Sequence, residues 1–189
     1  MTRPLRLGDL LDPKRTVELL LAGGMREHAA ADKAAIFAEC AGRVQADCGG
    51  HDAEARALFV PGRIEVLGKH TDYAGGRSLV AAVERGLCLV AAPRDESLWR
   101  VQALDVRGRC EFPVSADIEP AVGHWANYPM TVVRRVAHNF PQARRGATVA
   151  YAGDLPQEAG MSSSSGVVVA NFLAMSAVND LPATDEYRR

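Results

Sequence analysis

Residues 61–76 read PGRIEVLGKHTDYAGG, an apolar run enclosed by turn-forming residues. The stretch contains two cations, one imidazole and two carboxylates, and five of its residues are Gly or Pro. Charged groups at such a glycine-rich turn are typical of a site that binds a ligand. Lys69 is the charged residue whose role is hardest to explain. We therefore take residues 61–76 as the first candidate binding site.

Short strand-like runs flank this stretch on both sides. They are rich in β-branched and aliphatic residues and are separated by Gly, Pro and Asp turns. The runs lie at 57–60, 63–68, 78–84, 87–92, 99–104, 109–114 and 147–152. The pattern predicts a β-sheet that begins near residue 57.

Helical patterns precede and follow the strands. They lie at 13–24, 25–47, 124–140 and 162–178. Pro13 stands at a plausible first helical position, and Ala29, Ile36, Cys40 and Val44 recur at helical spacing. We therefore predict an α+β fold, with a helical N-terminal extension at 1–55 and a mixed sheet with helices on one face at 56–189.

Length and composition restrict the class of protein. The chain has 189 residues, of which 48% are hydrophobic and 24% charged, which is typical of a soluble globular protein with a buried core. The net charge of -1 gives no electrostatic basis for binding nucleic acid. No apolar run approaches the roughly 20 residues of a membrane helix. We therefore expect neither nucleic acid nor a membrane as a partner.

Cysteine usage and the N-terminus indicate the compartment. Cys40, Cys48, Cys88 and Cys110 show no CxxC pairing and no spacing typical of a metal site. The first residues, MTRPLRLGDLLDPKRT, are interrupted by prolines and charges and so lack the apolar core of a secretory signal. Reduced thiols and a cytoplasmic location are the expectation.

A second informative stretch, GDLPQEAGMSSSSGVVVANFLAM at 153–175, has four serines at the start of an apolar helix. The first N–H groups of a helix have no internal partners and its dipole is positive there, so this end favours an anion. One serine would suffice as a helix cap, and four favour a phosphate loop over a simple cap. Neither a Gly-x-Ser-x-Gly elbow nor a Walker loop fits the chain.

Together the two stretches resemble the GHMP small-molecule kinases, and among them the galactokinase family most closely. GRIEVLGKHTDYAGG is similar to the family's sugar motif, roughly GRxNLIGEHTDYNGG, and PQEAGMSSSSG to its phosphate motif, roughly PxGxGLSSSA. The segment HWANYPMTVV also resembles the family's WxNYVxGV. The resemblance covers about residues 57–180.

The resemblance implies a role for each matching residue. Arg63 would stabilise charge on the transferring phosphoryl group, and Gly75 with Gly76 would form the turn behind the sugar site. The sugar would be bound by Lys69, His70 and Asp72. The nucleotide would be bound by Trp125, Gly160, Ser162, Ser163 and Ser164, and Ser164 would also be a ligand of Mg²⁺. ATP and Mg²⁺ are the implied cofactors, and a sugar with ATP the implied small-molecule partners.

The chain departs from the family pattern at charged positions. Lys69 replaces the family glutamate, Glu65 its asparagine, and Glu158 the first glycine of the phosphate loop. Lys69 has two interpretations: it neutralises Glu65, or it binds a carboxylate on the substrate and so selects a sugar acid.

The end of the chain is a further departure. The family has a catalytic aspartate in a later Gly-rich segment, whereas this chain ends at NDLPATDEYRR, where Asp180 and Asp185 lack that context. We therefore expect an N-terminal portion that is inactive by itself and has the missing C-terminal half as its partner.

Three functions are compatible with these observations. The first is an ATP-dependent sugar kinase that phosphorylates the anomeric hydroxyl of galactose or a related hexose or hexuronic acid. The second is a catalytically inactive sensor of sugar and nucleotide, which Lys69 and Glu158 would suit. The third is a role for residues 13–48 as an amphipathic module that docks a partner.

Overall fold

The computed structural model describes residues 5–48, 50–68, 71–156, 163–184 and 187; the side chain of Asp72 lies outside this part. Its helices are α1 (Leu7–Leu11), α2 (Pro13–Ala22), α3 (Glu27–Cys48), α4 (Asn127–Asn139) and α5 (Ser163–Val178), with 3-10 turns at Thr71–Ala74 and Leu181–Ala183. Its strands are β1 (Leu5–Arg6), β2 (Glu54–Leu67), β3 (Leu79–Pro93), β4 (Leu98–Ala103), β5 (Gly108–Pro113) and β6 (Ala147–Gly153). None of the helices in these described stretches is long and apolar enough to cross a bilayer.

The described strands form one mixed sheet in the order β1-β2-β3-β6-β4-β5. All neighbouring pairs are antiparallel except β4 and β6, which run parallel. Because the side chains of a strand alternate between the two faces, the central strands contribute to two separate cores. The α+β fold with a mixed sheet is confirmed.

The two faces of the sheet are covered by different helices. On one face, Leu89 and Val149 pack in a core with residues of α4 and α5. On the other face, Cys88 and Val90 pack in a core with residues of α1 and α3. The helical extension thus closes the face that α4 and α5 leave open, and the division at residues 55 and 56 stays a prediction.

Helix α3 presents a mostly apolar stripe to the sheet. Its buried residues are Ala29, Ala30, Lys33, Ala34, Phe37, Cys40, Ala41 and Val44. Phe37, not the neighbouring Ile36, occupies the fully buried position on this stripe. Lys33 is the charged residue among them.

Four of the predicted strands merge into two long ones, β2 and β3, which form a hairpin. The hairpin bends between the pairs Pro61↔Gly86 and Arg63↔Ala82, where one residue of β2 faces three of β3. An irregularity of this kind is a β-bulge, which bends a strand and increases its twist. Beyond this kink, most residues of both strands are exposed.

Candidate functional site

The loop at the tip of the β2–β3 hairpin is held closed by hydrogen bonds to one carbonyl oxygen. The Gly68 oxygen accepts from the Thr71 amide at 3.1 Å, from Thr71 Oγ1 at 2.8 Å and from Ser78 Oγ at 2.9 Å. Thr71 Oγ1 also lies 3.1 Å from the Arg77 carbonyl oxygen. These bonds fix Thr71 and Ser78 against Gly68, although Thr71 and Ser78 are both exposed to solvent.

Glycine is required at three positions of this loop. Gly68 and Gly75 have φ values of 84° and 74°, in the left-handed region. A Cβ at Gly76 would lie 2.8 Å from the Thr71 Cβ, and one at Gly68 would lie 2.9 Å from Thr71 Oγ1 and closer still to the Arg77 oxygen. The prediction that Gly75 and Gly76 form the turn is confirmed, and Gly68 is a further turn residue that it omitted.

Arg63 lies on β2 just beyond the kink, paired with Ala82 of β3, and its side chain is exposed. The neighbouring Gly62 is buried because Leu155 occupies the space where a side chain would be. A Cβ on Gly62 would lie 2.5 Å from Leu155 Cδ2. The strand that carries Arg63 is thus in contact with the segment that leads from β6 to α5.

The segment that leads from β6 to α5 is held to the sheet by contacts of its first three residues, 153–155. The Gly153 N–H donates to Asp105 Oδ2 at 3.0 Å, in the turn between β4 and β5. The Gly86 N–H donates to Asp154 Oδ1 at 2.8 Å. Leu155 follows with its contact at Gly62. The direction in which the chain enters the serine-rich loop is therefore determined by the sheet.

The carboxylate of Asp105 has lost part of its hydration at this strand end. Desolvation raises its pKa, and the hydrogen bond from the Gly153 N–H opposes the rise. Asp154 contributes as a nearby negative charge that also raises this pKa. The carboxylates of Asp105 and Asp154 thus place negative charge at the end of β6. The charge of Asp154 is offset by Lys33, with which it forms an ion pair.

Helix α5 begins at Ser163, and Ser163 and Ser164 are both exposed in its first turn. A strand, β6, and a helix, α5, therefore lie at the two ends of the predicted phosphate loop, of which residues 157–162 lie outside the described residues. Exposed hydroxyls and free N–H groups at a helix start are suitable donors for phosphate oxygens. No group of three His, Cys, Asp or Glu side chains in the described residues could hold a metal ion.

Trp125 lies near the far edge of the sheet, away from β2. Its indole ring rests on Gly108 of β5, where a Cβ would lie 2.5 Å from the ring. The ring is partly buried against the core that contains α4 and α5, and His124 lies with its ring centroid 5.5 Å away. Trp125 is not in the Arg63 region, and its role in nucleotide binding stays a prediction.

Several predicted site residues lie outside the described residues. These are Lys69, His70, the side chain of Asp72, Gly160 and Ser162, together with Glu158. The backbone of Asp72 is described and lies in the 3-10 turn that Thr71 begins. Arg63, Trp125, Ser163 and Ser164 are the predicted site residues whose side chains are placed. Their functional roles stay predictions.

Neither the structural role of Thr71 nor the Lys33–Asp154 pair was predicted from the sequence. Thr71 was part of a quoted motif, but its structural role depends on the Gly68 and Arg77 carbonyls, which no sequence pattern displays. Lys33 did have a signal, because it stands at helical spacing from Ala29, Phe37 and Cys40 on an apolar stripe. A charged residue on such a face predicts a buried ion pair.

Two family models match the chain. The galactokinase galactose-binding signature matches residues 47–93, and the GHMP kinases N terminal domain matches residues 127–188. The fold and the candidate site thus define the chain as the N-terminal domain of a GHMP kinase. Within that superfamily, the chain belongs to the galactokinase family.

Similar proteins agree with this assignment. A galactokinase of Actinobacillus pleuropneumoniae is 36% identical over 128 residues, which are 68% of this chain and 33% of that protein. A galactokinase of Haemophilus influenzae strain PittEE is 33% identical over 125 residues, again 33% of its length. The chain therefore spans about a third of the length of the curated relatives it matches.

Solved structures show the same fold. The Lactococcus lactis galactokinase complexed with galactose aligns with a TM-score of 0.66 and 23% identity, over 76% of this chain and 38% of that one. The Methanococcus jannaschii mevalonate kinase aligns with a TM-score of 0.56 and 14% identity, over 65% of this chain and 39% of that one. At these identities the likeness supports the fold alone.

Proposed function

We propose that this chain supplies the sugar and nucleotide sites of an ATP-dependent sugar kinase. Its substrate is galactose or a related hexose or hexuronic acid, phosphorylated at the anomeric hydroxyl. The observation that carries the proposal is the contact of Gly62 with Leu155. This contact joins the strand of the galactose-binding signature to the segment that leads to α5, whose first turn contains Ser163 and Ser164. Sugar and phosphate sites on these two elements would therefore be neighbours.

The start of α5 suits the phosphates of ATP. Ser163 and Ser164 are exposed at the positive end of a helix of 16 residues, where hydroxyls and N–H groups can donate to phosphate oxygens. Ser164 is the proposed ligand of Mg²⁺. MgATP supplies the phosphoryl group, and its metal ion neutralises charge on the phosphate oxygens.

Arg63 is the cation that the sequence motif implies for the transferring group. No carboxylate among the described residues forms an ion pair with it, and its side chain is exposed. A free guanidinium can contact phosphate oxygens through two parallel N–H bonds. We therefore assign Arg63 to charge stabilisation, and His70 and Asp72 to the sugar hydroxyls, as in the sequence motif.

Binding tests this proposal without relying on turnover by the 189-residue chain. Calorimetric titration should show binding of galactose, of MgADP and of the Mg²⁺ complex of a non-hydrolysable ATP analogue, which retains the γ-phosphoryl group. Arg63→Met should weaken binding of the ATP analogue by about tenfold, which corresponds to one charge-assisted contact of about 1.5 kcal/mol, and should change MgADP binding less. Arg135→Met, which removes an exposed cation from α4, is the matched control and should bind like the wild type. Equal affinity of both variants for the ATP analogue would contradict the role of Arg63.

Substrate choice is tested at Lys69. The protein that contains this chain should be assayed for phosphorylation of galactose, galacturonic acid and glucuronic acid. A charge-assisted contact would favour a sugar acid by about one to two orders of magnitude, and Lys69→Glu should reverse the preference. A clear preference of the wild type for galactose would exclude the hypothesis that Lys69 binds a carboxylate of the substrate. Binding of sugar and nucleotide with no phosphoryl transfer to any of the three would identify the sensor instead.

A further inference from the structure

Lys33 is a charged residue in the middle of the buried stripe of α3. Only 2% of its surface is exposed. A buried ammonium group loses its hydration and is tolerated only when it is paired and hydrogen-bonded. An apolar side chain at this position would fill the same space without that cost. The position of Lys33 therefore needs an explanation beyond packing.

The partner of Lys33 is Asp154, the first residue after β6. Lys33 Nζ forms an ion pair with Asp154 Oδ2. It also lies 5.8 Å from the centroid of the Phe59 ring, at a distance suitable for a cation–π contact. The pair joins the N-terminal helical extension to the segment that enters the serine-rich loop.

The other oxygen of the same carboxylate holds the kink of the hairpin. Asp154 Oδ1 accepts from the Gly86 N–H at 2.8 Å, and the Asp154 N–H donates to the Gly86 oxygen at 3.2 Å. A side chain at Gly86 could not replace this arrangement, since a Cβ there would lie 2.7 Å from the Phe59 ring. The Asp154 carboxylate thus connects three parts of the fold: helix α3, the kink of the hairpin, and the start of the segment that leads from β6 to α5.

The exposed ion pairs of the extension provide a contrast. Glu84, also at the kink, contacts Arg26 at 3.2 Å and His28 at 3.1 Å, and all three side chains are solvent-exposed. Exposed pairs of this kind are screened and contribute little. In the Lys33–Asp154 pair the ammonium group is buried, so this contact is one through which the extension can control the geometry of the segment after β6.

We infer that Lys33 is a positioning residue for the nucleotide phosphates. By holding Asp154 against Gly86, it sets the direction in which the chain passes Leu155 and enters the loop before α5. The inference rests on the proposed function only for the identity of the ligand. It gives the helical extension a role in nucleotide binding, in addition to its role in covering the sheet.

The test uses Lys33→Met, which keeps the length of the side chain and removes its charge, in the 189-residue chain. Glu84→Gln is the matched control at the exposed pair. Three quantities are measured at a temperature at which each variant is folded. They are the hydrogen-exchange rate of the Gly86 amide, the Kd of MgADP and the Kd of galactose. If Lys33→Met does not fold, Lys33→Gln, which can still donate a hydrogen bond, takes its place.

The expected result is a selective loss. Lys33→Met should speed exchange of the Gly86 amide and raise the Kd of MgADP, each by about tenfold, and leave the Kd of galactose within about twofold. The control should change none of the three. Unchanged Gly86 exchange would overturn the inference, as would an equal loss of both ligands, which indicates general destabilisation. A wild type that binds no MgADP would refute the proposed function, and the Gly86 exchange would still decide whether Lys33 positions Asp154.

Discussion

The two halves of the β2–β3 hairpin differ in what holds them in place. The inner half, residues 54–60 and 87–93, contributes side chains to both cores of the sheet. The outer half, residues 61–67 and 79–86, is mostly exposed and ends in the glycine loop. The inner half is stabilised by burial of apolar surface, and the outer half by hydrogen bonds to a few carbonyl groups and by glycine conformations.

This difference separates stability from binding. A substitution in the inner half opens a cavity in a core shared with the helices, so its cost applies to the whole fold. A substitution in the outer half acts on a loop that can open locally without unfolding the rest. The same pair of strands can therefore carry both a rigid base and a loop that binds a ligand.

The largest expected effect is global and arises in the inner half. Leu89→Ala removes a fully buried side chain from the core under α4 and α5 and should lower the free energy of unfolding by about 2–5 kcal/mol. Val80→Ala, at a position that is 51% exposed in the outer half, should lower it by less than about 0.5 kcal/mol. Urea denaturation measures both. Similar losses would show that the two halves are stabilised in the same way.

Alkaline pH should also act through the inner half. Burial raises the pKa of the Cys88 thiol from its ordinary value of 9.0 to about 12. Above about pH 9 the unfolded chain loses a proton that the folded chain keeps, so this thiol should reduce stability by about 1.4 kcal/mol per pH unit until its folded pKa is reached. Below pH 9 it is protonated in both states and has no effect.

The measurement is the free energy of unfolding against pH for the wild type and for Cys88→Ala. The difference between the two curves isolates this thiol from other groups that titrate at high pH. The variant should have the shallower decline above pH 9. Parallel curves would mean that Cys88 is accessible to water in the folded chain.

A smaller effect, confined to the loop, is expected at Gly68. A side chain there would meet the Arg77 oxygen and require a left-handed backbone, a strain of about 1–3 kcal/mol. Gly75→Ala is the matched variant, because Gly75 has a similar φ and no atom near a Cβ. Gly68→Ala should weaken galactose binding by about tenfold more than Gly75→Ala, with little change in denaturant midpoint. A large midpoint shift would place Gly68 in the global fold.

The smallest effect is expected at Thr71. Thr71→Val removes the hydroxyl that bonds the Gly68 and Arg77 oxygens and should cost about 1 kcal/mol of loop stability. Thr71→Ser keeps the hydroxyl and serves as the control. Exchange of the Gly76 amide, which donates to the Thr71 oxygen at 2.8 Å, reports the opening of the loop. Equal exchange in both variants would assign the loop's rigidity to the glycines alone.

Much of the fold could be predicted from periodicity and turn chemistry. Pro13 begins α2 and serines form the first turn of α5, as expected, because the restricted φ of proline and the preference of serine for helix starts are local properties. The merging of separate runs into β2 and β3 was not predicted. Their continuity depends on the kink at Gly86, where the chain packs against Phe59 and Asp154.

The candidate site divides in the same way. The motif around Arg63 and the glycine turn were visible in the sequence, since these residues stand close together in the chain. The contact of Gly62 with Leu155 joins residues far apart in sequence, and no local pattern indicates it. A sequence motif predicted Trp125 as a nucleotide-binding residue, whereas its packing on Gly108 appears only in the structure.

The sequence by itself determined the family, most of the helices and strands, and the chemical types at the two motifs, because these depend on neighbouring residues and on hydrophobic spacing. Only the tertiary structure decided how the motifs are joined. The position of Lys33 on an apolar helix stripe indicates a buried partner, but only the structure shows that this partner is Asp154, directly after β6. The physical reason is that the cost of burying a charge, and the partner that offsets it, are set by the environment and not by the chain position.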